Sequence, residues 1–452
     1  MIFALLLLSA ADWVPMRWSA PNPAALELLK GTPVNCLLLE NAAINSGVVS
    51  AALGSGIDTL TVIGPGATEE TIRKASALKV MGVILEGVFA DGAADRLRKV
   101  ATGLGLVTID LLPRAHIKFD SSHNVVGTFQ GVWPGIRVEE DGAAKAAPSG
   151  APWIDTNSGF LRFIRASTDA PVWIGVRPPA QTIVTPERYL QAISDAAIVG
   201  ARWVIALDDD FSRRLLAGEE PVQKAWRRMA ELLSYYESHR EWRRMKPAGE
   251  LAILQDVDSG ALLSGSLLDM IAVKHTPVRP VPTRMLGATT MKGAKMAVNV
   301  DPSSLTDGQK QELLAWRRAG GTLLSGPPAW KFPPPKADQI TLSDDDVKML
   351  DDIWKELNGM TGRRNLGARL FNVSSMLSNL IESADGKQTV LHLVNYSGFP
   401  VENVTVHVLG KFKSATLFSP GEQAKKVEVY DIEEGTGIDI ANVNVAATVA
   451  LE

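Results

Sequence analysis

The sequence holds a single cysteine, Cys36, in 452 residues, so an intrachain disulfide and a cysteine-rich zinc or iron–sulfur site are both excluded. It lacks any marked charge excess. Its 46 basic and 50 acidic side chains leave a net charge of −4, which gives no general attraction for phosphate backbones or anionic bilayers. Nucleic acid and membrane are therefore not expected as partners. No stretch approaches the roughly 20 consecutive apolar residues that span a bilayer. The six histidines are scattered and none forms H-E-x-x-H, which excludes a zincin. There is no G-x-S-x-G elbow, no G-x-x-x-x-G-K-[ST] loop and no G-x-G-x-x-G after the first strand. No expected strand ends in lysine, which argues against Schiff-base and pyridoxal chemistry. Neither a cofactor nor a metal is expected.

Hydrophobic residues make up 46% of the chain and charged residues 21%, ample for buried cores and far from the composition of disorder. The length favours two or three domains. The run Ile2 to Leu8, followed by Ser9-Ala10-Ala11, reads as a secretory leader over residues 1–11, which implies a secreted or periplasmic protein.

From Pro33 to about Met245, short buried β-runs alternate with helical patterns, as in a parallel sheet covered by helices. The runs are Val34 to Glu40, Asp58 to Gly64, Val80 to Glu86, Leu104 to Leu112, Pro171 to Val176 and Arg202 to Asp208, with one or two more within Val125 to Glu139. Seven or eight such units favour an α/β fold of the (β/α)8 barrel type, assigned to residues 12–246. After Lys246-Pro247-Ala248-Gly249 the pattern restarts. Strands at Glu250 to Gln255, Pro277 to Val281, Ala294 to Val300 and Gly321 to Gly326, with helices at Ala261 to Val273 and Leu305 to Arg318, form a flavodoxin-like α/β domain over 247–340. A proline-rich stretch, Pro327 to Pro335, and a helical connector over 341–368 follow. Residues 369–452 then change to period-two runs with Gly, Pro and Asp turns, an all-β sandwich.

In a barrel of this kind, functional groups gather at the C-terminal ends of the strands. The expected ends carry Glu40, Glu86, Asp110, Arg177 and the run Asp208-Asp209-Asp210. A protonated and an ionised carboxylate together are what hydrolysis of a glycosidic bond requires, so Glu86, Asp110 and Asp208 are candidate catalytic acids. Acids at strand ends also cap the next helix, as Asp208 could. Trp133 and Trp153 lie in Gly/Pro-rich loops, where an indole offers a sugar a flat apolar face, and Asp155, Asn157, Glu40 and Arg177 could hold its hydroxyls. Both indoles could equally plug a barrel loop.

The segment Leu305-Thr306 with Gln309 to Pro328, and the segment Thr389 to Val408, resemble parts of the three-domain β-galactosidases of glycoside hydrolase family forty-two. The resemblance implies a barrel, a glutamine-amidotransferase-like domain and a C-terminal sandwich, in that order, with a carbohydrate as substrate and a homo-oligomer as a further partner. In that clan the acid/base glutamate follows an asparagine at the end of the fourth strand, and a second glutamate ends the seventh. Here the expected fourth strand ends Thr108-Ile109-Asp110, and Pro171 to Val176 runs into Arg177-Pro178-Pro179, so the pair does not carry over. The middle domain has no cysteine to serve as an amidotransferase nucleophile. Three readings follow: an exported glycoside hydrolase, a non-catalytic carbohydrate-binding or structural protein of the same architecture, and a metal-assisted hydrolase using Asp208 to Asp210.

Overall fold

A computed structural model of the chain describes residues 10–117, 124–138, 141, 143–144, 153–256, 276–300, 302–326 and 344–452. His123, the helix expected at Ala261 to Val273, the stretch Pro327 to Pro335 and most of the expected leader lie outside them. The chain forms two compact units, one of residues 1–131, 168–186 and 201–237 and one of residues 132–167, 187–200 and 238–452.

The first unit is built on eight parallel strands: β1 Pro15–Trp18, β2 Cys36–Leu39, β3 Asp58–Ile63, β4 Gly82–Glu86, β5 Val107–Leu112, β6 Val126–Thr128, β7 Val172–Ile174 and β8 Arg202–Trp203. They pair in that order, and β1 returns to the chain just beyond β8. There the Arg17 N–H donates to the Ile205 carbonyl at 2.8 Å, and the Ile205 N–H to that of Pro15 at 3.0 Å. The ring is closed, as expected of the barrel type. The expected runs supply seven of the eight strands, and the front one, Pro15–Trp18, precedes the first run read as a strand. A four-residue segment holding a proline and an arginine carries too little apolar pattern to be read as one.

Burial drives closure. Trp13, Cys36, Leu38, Leu60, Ile84, Ile109, Leu111, Val125, Trp173 and Val204 form one buried cluster that fills the interior. Trp13 and Trp173 meet there with ring centroids 6.2 Å apart. Gly82 is required where β4 meets β5, since a Cβ there would stand 2.2 Å from the Val107 carbonyl oxygen. Helices Ser46–Gly54, Glu69–Ala77 and Ala93–Gly103 connect the early strands. The second of these opens with a capping box between Thr68 and Thr71.

The second unit contains a parallel sheet in the order Arg279–Pro282, Leu251–Gln255, Met296–Asn299, Thr322–Ser325. Helix Asp307–Arg318 follows a Thr306/Gln309 capping box. Two antiparallel sheets come after it. The six-stranded one centres on Met376–Glu382, Thr389–Asn395 and Ala446–Leu451, and the four-stranded one on Val401–Leu409 and Gly435–Val443. Leu391, Leu393 and Val449 from one sheet and Val404, Val406, Val408 and Ile440 from the other share a single buried core, the packing of a sandwich. Among the described residues no helix is long and apolar enough to cross a membrane.

Candidate functional site at the barrel mouth

Side chains alternate across a strand, so residues an even number of positions from an interior residue point inward while the strand continues. Glu40 lies two positions beyond Leu38, and Glu86 two beyond Ile84. Arg17 lies four beyond Trp13, and Arg177 follows the end of β7 by three residues, where its ion pairs and not strand alternation fix it at the mouth. The apolar interior thus ends in a layer of two arginines and two glutamates, contributed by β1 and by the ends of β2, β4 and β7.

These four side chains form a closed ring of ion pairs. Arg17 donates from Nη1 to Glu40 at 2.5 Å and from Nη2 to Glu86. Arg177 donates from Nη1 to the other oxygen of Glu40 at 2.7 Å and from Nη2 to that of Glu86 at 2.9 Å. Each guanidinium bridges both carboxylates, and every carboxylate oxygen is used. Depth differs around the ring: the side chains of Arg17, Glu40 and Glu86 are 5%, 12% and 15% exposed, and that of Arg177 is 49% exposed. Burial alone would push the Glu86 carboxyl up; the Arg17 and Arg177 guanidiniums outweigh it and hold Glu86 below the usual range. Arg177 is lowered by burial and raised, on balance, by its bonds to the two glutamates.

Beside the ring is a cavity of about 290 Å³, lined by Arg17, Glu40 and Arg177 together with residues of β1, helix Asp209–Leu216 and helix Glu220–Ser238.

The other expected acids of this unit stand elsewhere. Asp110 sits between the inward Ile109 and Leu111, so its side chain faces outward. There it meets Arg98 of helix Ala93–Gly103, with Nη2 at 3.2 Å. A strand-end acid in sequence is here an outer-face acid. It also belongs to the fifth strand, whereas Glu86 ends the fourth, preceded by Leu85 where the resembled clan has asparagine. Asp208 is buried as the N-cap of helix Asp209–Leu216; its oxygens accept from the Phe211 N–H at 2.8 Å and the Val184 N–H at 3.1 Å. Asp210 pairs with Arg213 and Arg214 on the same helix, and Asp209 lines the cavity. Among the described residues no group of three or more His, Cys, Asp or Glu side chains is arranged to hold a metal.

Trp133, Trp153, Asp155 and Asn157 belong to the second unit. Trp153 is 2% exposed, with its indole N–H on Asp155 at 3.3 Å, which leaves no open face for stacking. Arg137 reaches over its ring and pairs with Asp155 at 2.5 Å. Trp133 is half-buried and meets Tyr189 edge-on at 5.3 Å. Asn157 is fully buried and ties down the loop at Val132, accepting its N–H and donating to its carbonyl, both at 2.9 Å.

Sequence reasoning missed two things. Arg17 goes unread together with its strand, since the four residues Pro15–Trp18 give no pattern that marks it. The second is Asp195, wholly buried in helix Pro186–Ala197. Its carboxylate accepts from Thr156 Oγ1 and the Tyr396 hydroxyl at 2.5 Å each, from the Asn157 N–H at 2.8 Å and from Asn157 Nδ2 at 3.0 Å. Burial pushes the Asp195 carboxyl up despite these donors. No local pattern joins positions 156, 195 and 396 before the fold is known.

No family model and no curated protein matches the chain. Among solved structures it is similar to the alpha-L-fucosidase isoenzyme 2 from Paenibacillus thiaminolyticus, at 9% identity over 97% of this chain and 99% of that one, with a TM-score of 0.59. It is also similar to the cold-adapted beta-galactosidase from Rahnella sp. R3, at 9% identity over 96% of this chain and 98% of that one, with a TM-score of 0.56. At such identities the likeness is one of fold: the chain has the barrel and β-rich architecture of these glycoside hydrolases.

Proposed function

We propose that the chain is a carbohydrate-binding protein on a glycosidase-type barrel, whose mouth holds a sugar through Arg17, Glu40, Glu86 and Arg177. The ring of ion pairs carries this reading. Planar guanidinium and carboxylate groups, fixed by one another at the end of an apolar barrel, are suited to donating to and accepting from neighbouring hydroxyls of one sugar. Hydrolysis asks for more, since one carboxyl must stay protonated to release the leaving oxygen. A glutamate held ionised by two arginines is the reverse of that condition. The barrel fold shared with a fucosidase and a galactosidase supports a carbohydrate as the ligand class. The apolar run Ile2 to Leu8, with Ser9-Ala10-Ala11 after it, supports export as part of this reading.

Glycoside hydrolysis is the second reading, favoured by one observation: Glu86 ends the fourth strand and shares a guanidinium with Glu40. It would require Arg177, the exposed member of the ring, to swing away so that Glu86 can take up a proton. A glycan array combined with reducing-sugar assays separates the two. The proposal expects binding without sugar release, weakened at least tenfold in Glu40→Gln. Release of sugar that Glu86→Gln abolishes would establish the hydrolase instead, and binding to no glycan would remove both.

A further inference from the structure

The cavity beside the ring has two kinds of wall. Strand ends supply Arg17, Glu40 and Arg177. The surrounding helices supply Leu28, Leu29, Leu215, Leu216 and Trp226. Leu216 is 50% exposed although it lines a cavity, so water meets apolar surface there. The indoles of Trp18 and Trp226 have already placed their N–H groups on the carbonyls of Ala20 at 3.1 Å and Leu28 at 2.9 Å. They offer the cavity only ring surface.

On the other wall Arg17 is 8% exposed and its two terminal nitrogens go to Glu40 and Glu86, so Arg177, whose side chain is 49% exposed, is the cation a ligand meets first. The charge of the lining says which sort of ligand fits. The charged residues of the lining are Arg17 and Arg177 against Glu40 and Asp209, two of each sign, so the cavity has no net charge with which to hold an ion. A neutral polyol supplies acceptors and donors for both signs. The size also decides. At about 290 Å³ the cavity lies at the lower end of the roughly 300 to 1,000 Å³ of ligand pockets, room for a small molecule and not for an extended glycan.

We propose that this cavity binds a monosaccharide glycoside bearing a short apolar aglycone, with the sugar at Arg17, Glu40 and Arg177 and an alkyl or aryl group against Leu28, Leu215, Leu216 and Trp226. The inference rests on the sugar-binding reading above and adds the aglycone.

The test is calorimetric titration of the full chain with paired methyl and hexyl glycosides of glucose, galactose, mannose and fucose in both anomers. Hexanol and hexanoate serve as sugar-free probes. Each buried methylene strengthens binding by about fourfold, so at least one hexyl glycoside should bind tenfold or more tighter than its methyl partner. Leu216→Asp, at a half-exposed position that folding tolerates, should erase that advantage and leave the methyl glycoside unchanged. Equal affinities within every pair would overturn the aglycone proposal while leaving sugar binding intact. Hexanol or hexanoate binding as tightly as the hexyl glycosides, with no methyl glycoside bound, would overturn both readings. Binding of none of these probes would overturn the aglycone proposal, with the glycan array deciding the other.

Discussion

Replacing Arg17 by methionine removes the buried cation that bridges Glu40 and Glu86 and keeps most of its volume. Two largely buried carboxylates are then left to Arg177 alone, whose side chain is 49% exposed. Removing one partner of a buried ion pair typically costs about 3 to 5 kcal/mol, because an uncompensated charge stays behind. We expect a loss of that size in the barrel unit at pH 7. Its pH dependence is distinctive. In the native protein Glu86 titrates below its ordinary 4.5, so its stabilising contribution is full above that value and drains as pH falls toward the folded-state pKa. In Arg17→Met two like charges share one cation, which raises their proton affinity, and protonation relieves the conflict. The deficit relative to the native protein should therefore shrink as pH is lowered from 7 to 5. Hydrogen exchange read on peptides from β1, β2 and β4 at the two pH values measures it within the barrel. A deficit under about 1 kcal/mol, the size expected of a surface pair, or one unchanged between the two pH values, refutes the reasoning.

Other substitutions test neighbouring claims. Tyr396→Phe removes one donor to the buried Asp195 and should cost about 1 to 3 kcal/mol in the second unit, seen as faster exchange in helix Pro186–Ala197. Asp208→Ala should cost about 0.5 to 2 kcal/mol through loss of the helix cap, with sugar affinity unchanged; a tenfold loss of affinity would assign Asp208 to the site. Gly82→Ala forces a methyl group toward the Val107 carbonyl and should destabilise the barrel by about 1 to 3 kcal/mol, measured by denaturant unfolding.

Much of the barrel was legible in the sequence because buried parallel strands read as unbroken apolar runs, as in Cys36-Leu37-Leu38-Leu39 and Val83-Ile84-Leu85. Pro15–Trp18 was not, since its neighbours and the chain beyond β8 supply the burial that its own composition does not announce. That omission shifted the strand count by one and drew attention to Asp110 as the fourth strand's acid in place of Glu86. Strand ends also mislead when parity is ignored: Glu40 and Glu86 fall in step with interior residues, and Asp110 falls out of step. The pairing of Arg17 with Arg177 across 160 positions had no local signature. Trp153 illustrates the opposite case, where a loop indole with the composition of a sugar platform is enclosed by Arg137 and Asp155.

The claim on which the functional reading turns is that the two arginines of the mouth hold Glu86 ionised, so that it is not a proton donor. Titration of the Glu86 carboxyl carbon by NMR, in protein labelled at glutamate and assigned with Glu86→Gln, measures this directly. The account predicts a midpoint below 4.5; a midpoint near or above about 6, the range of a glycosidase general acid, would contradict it.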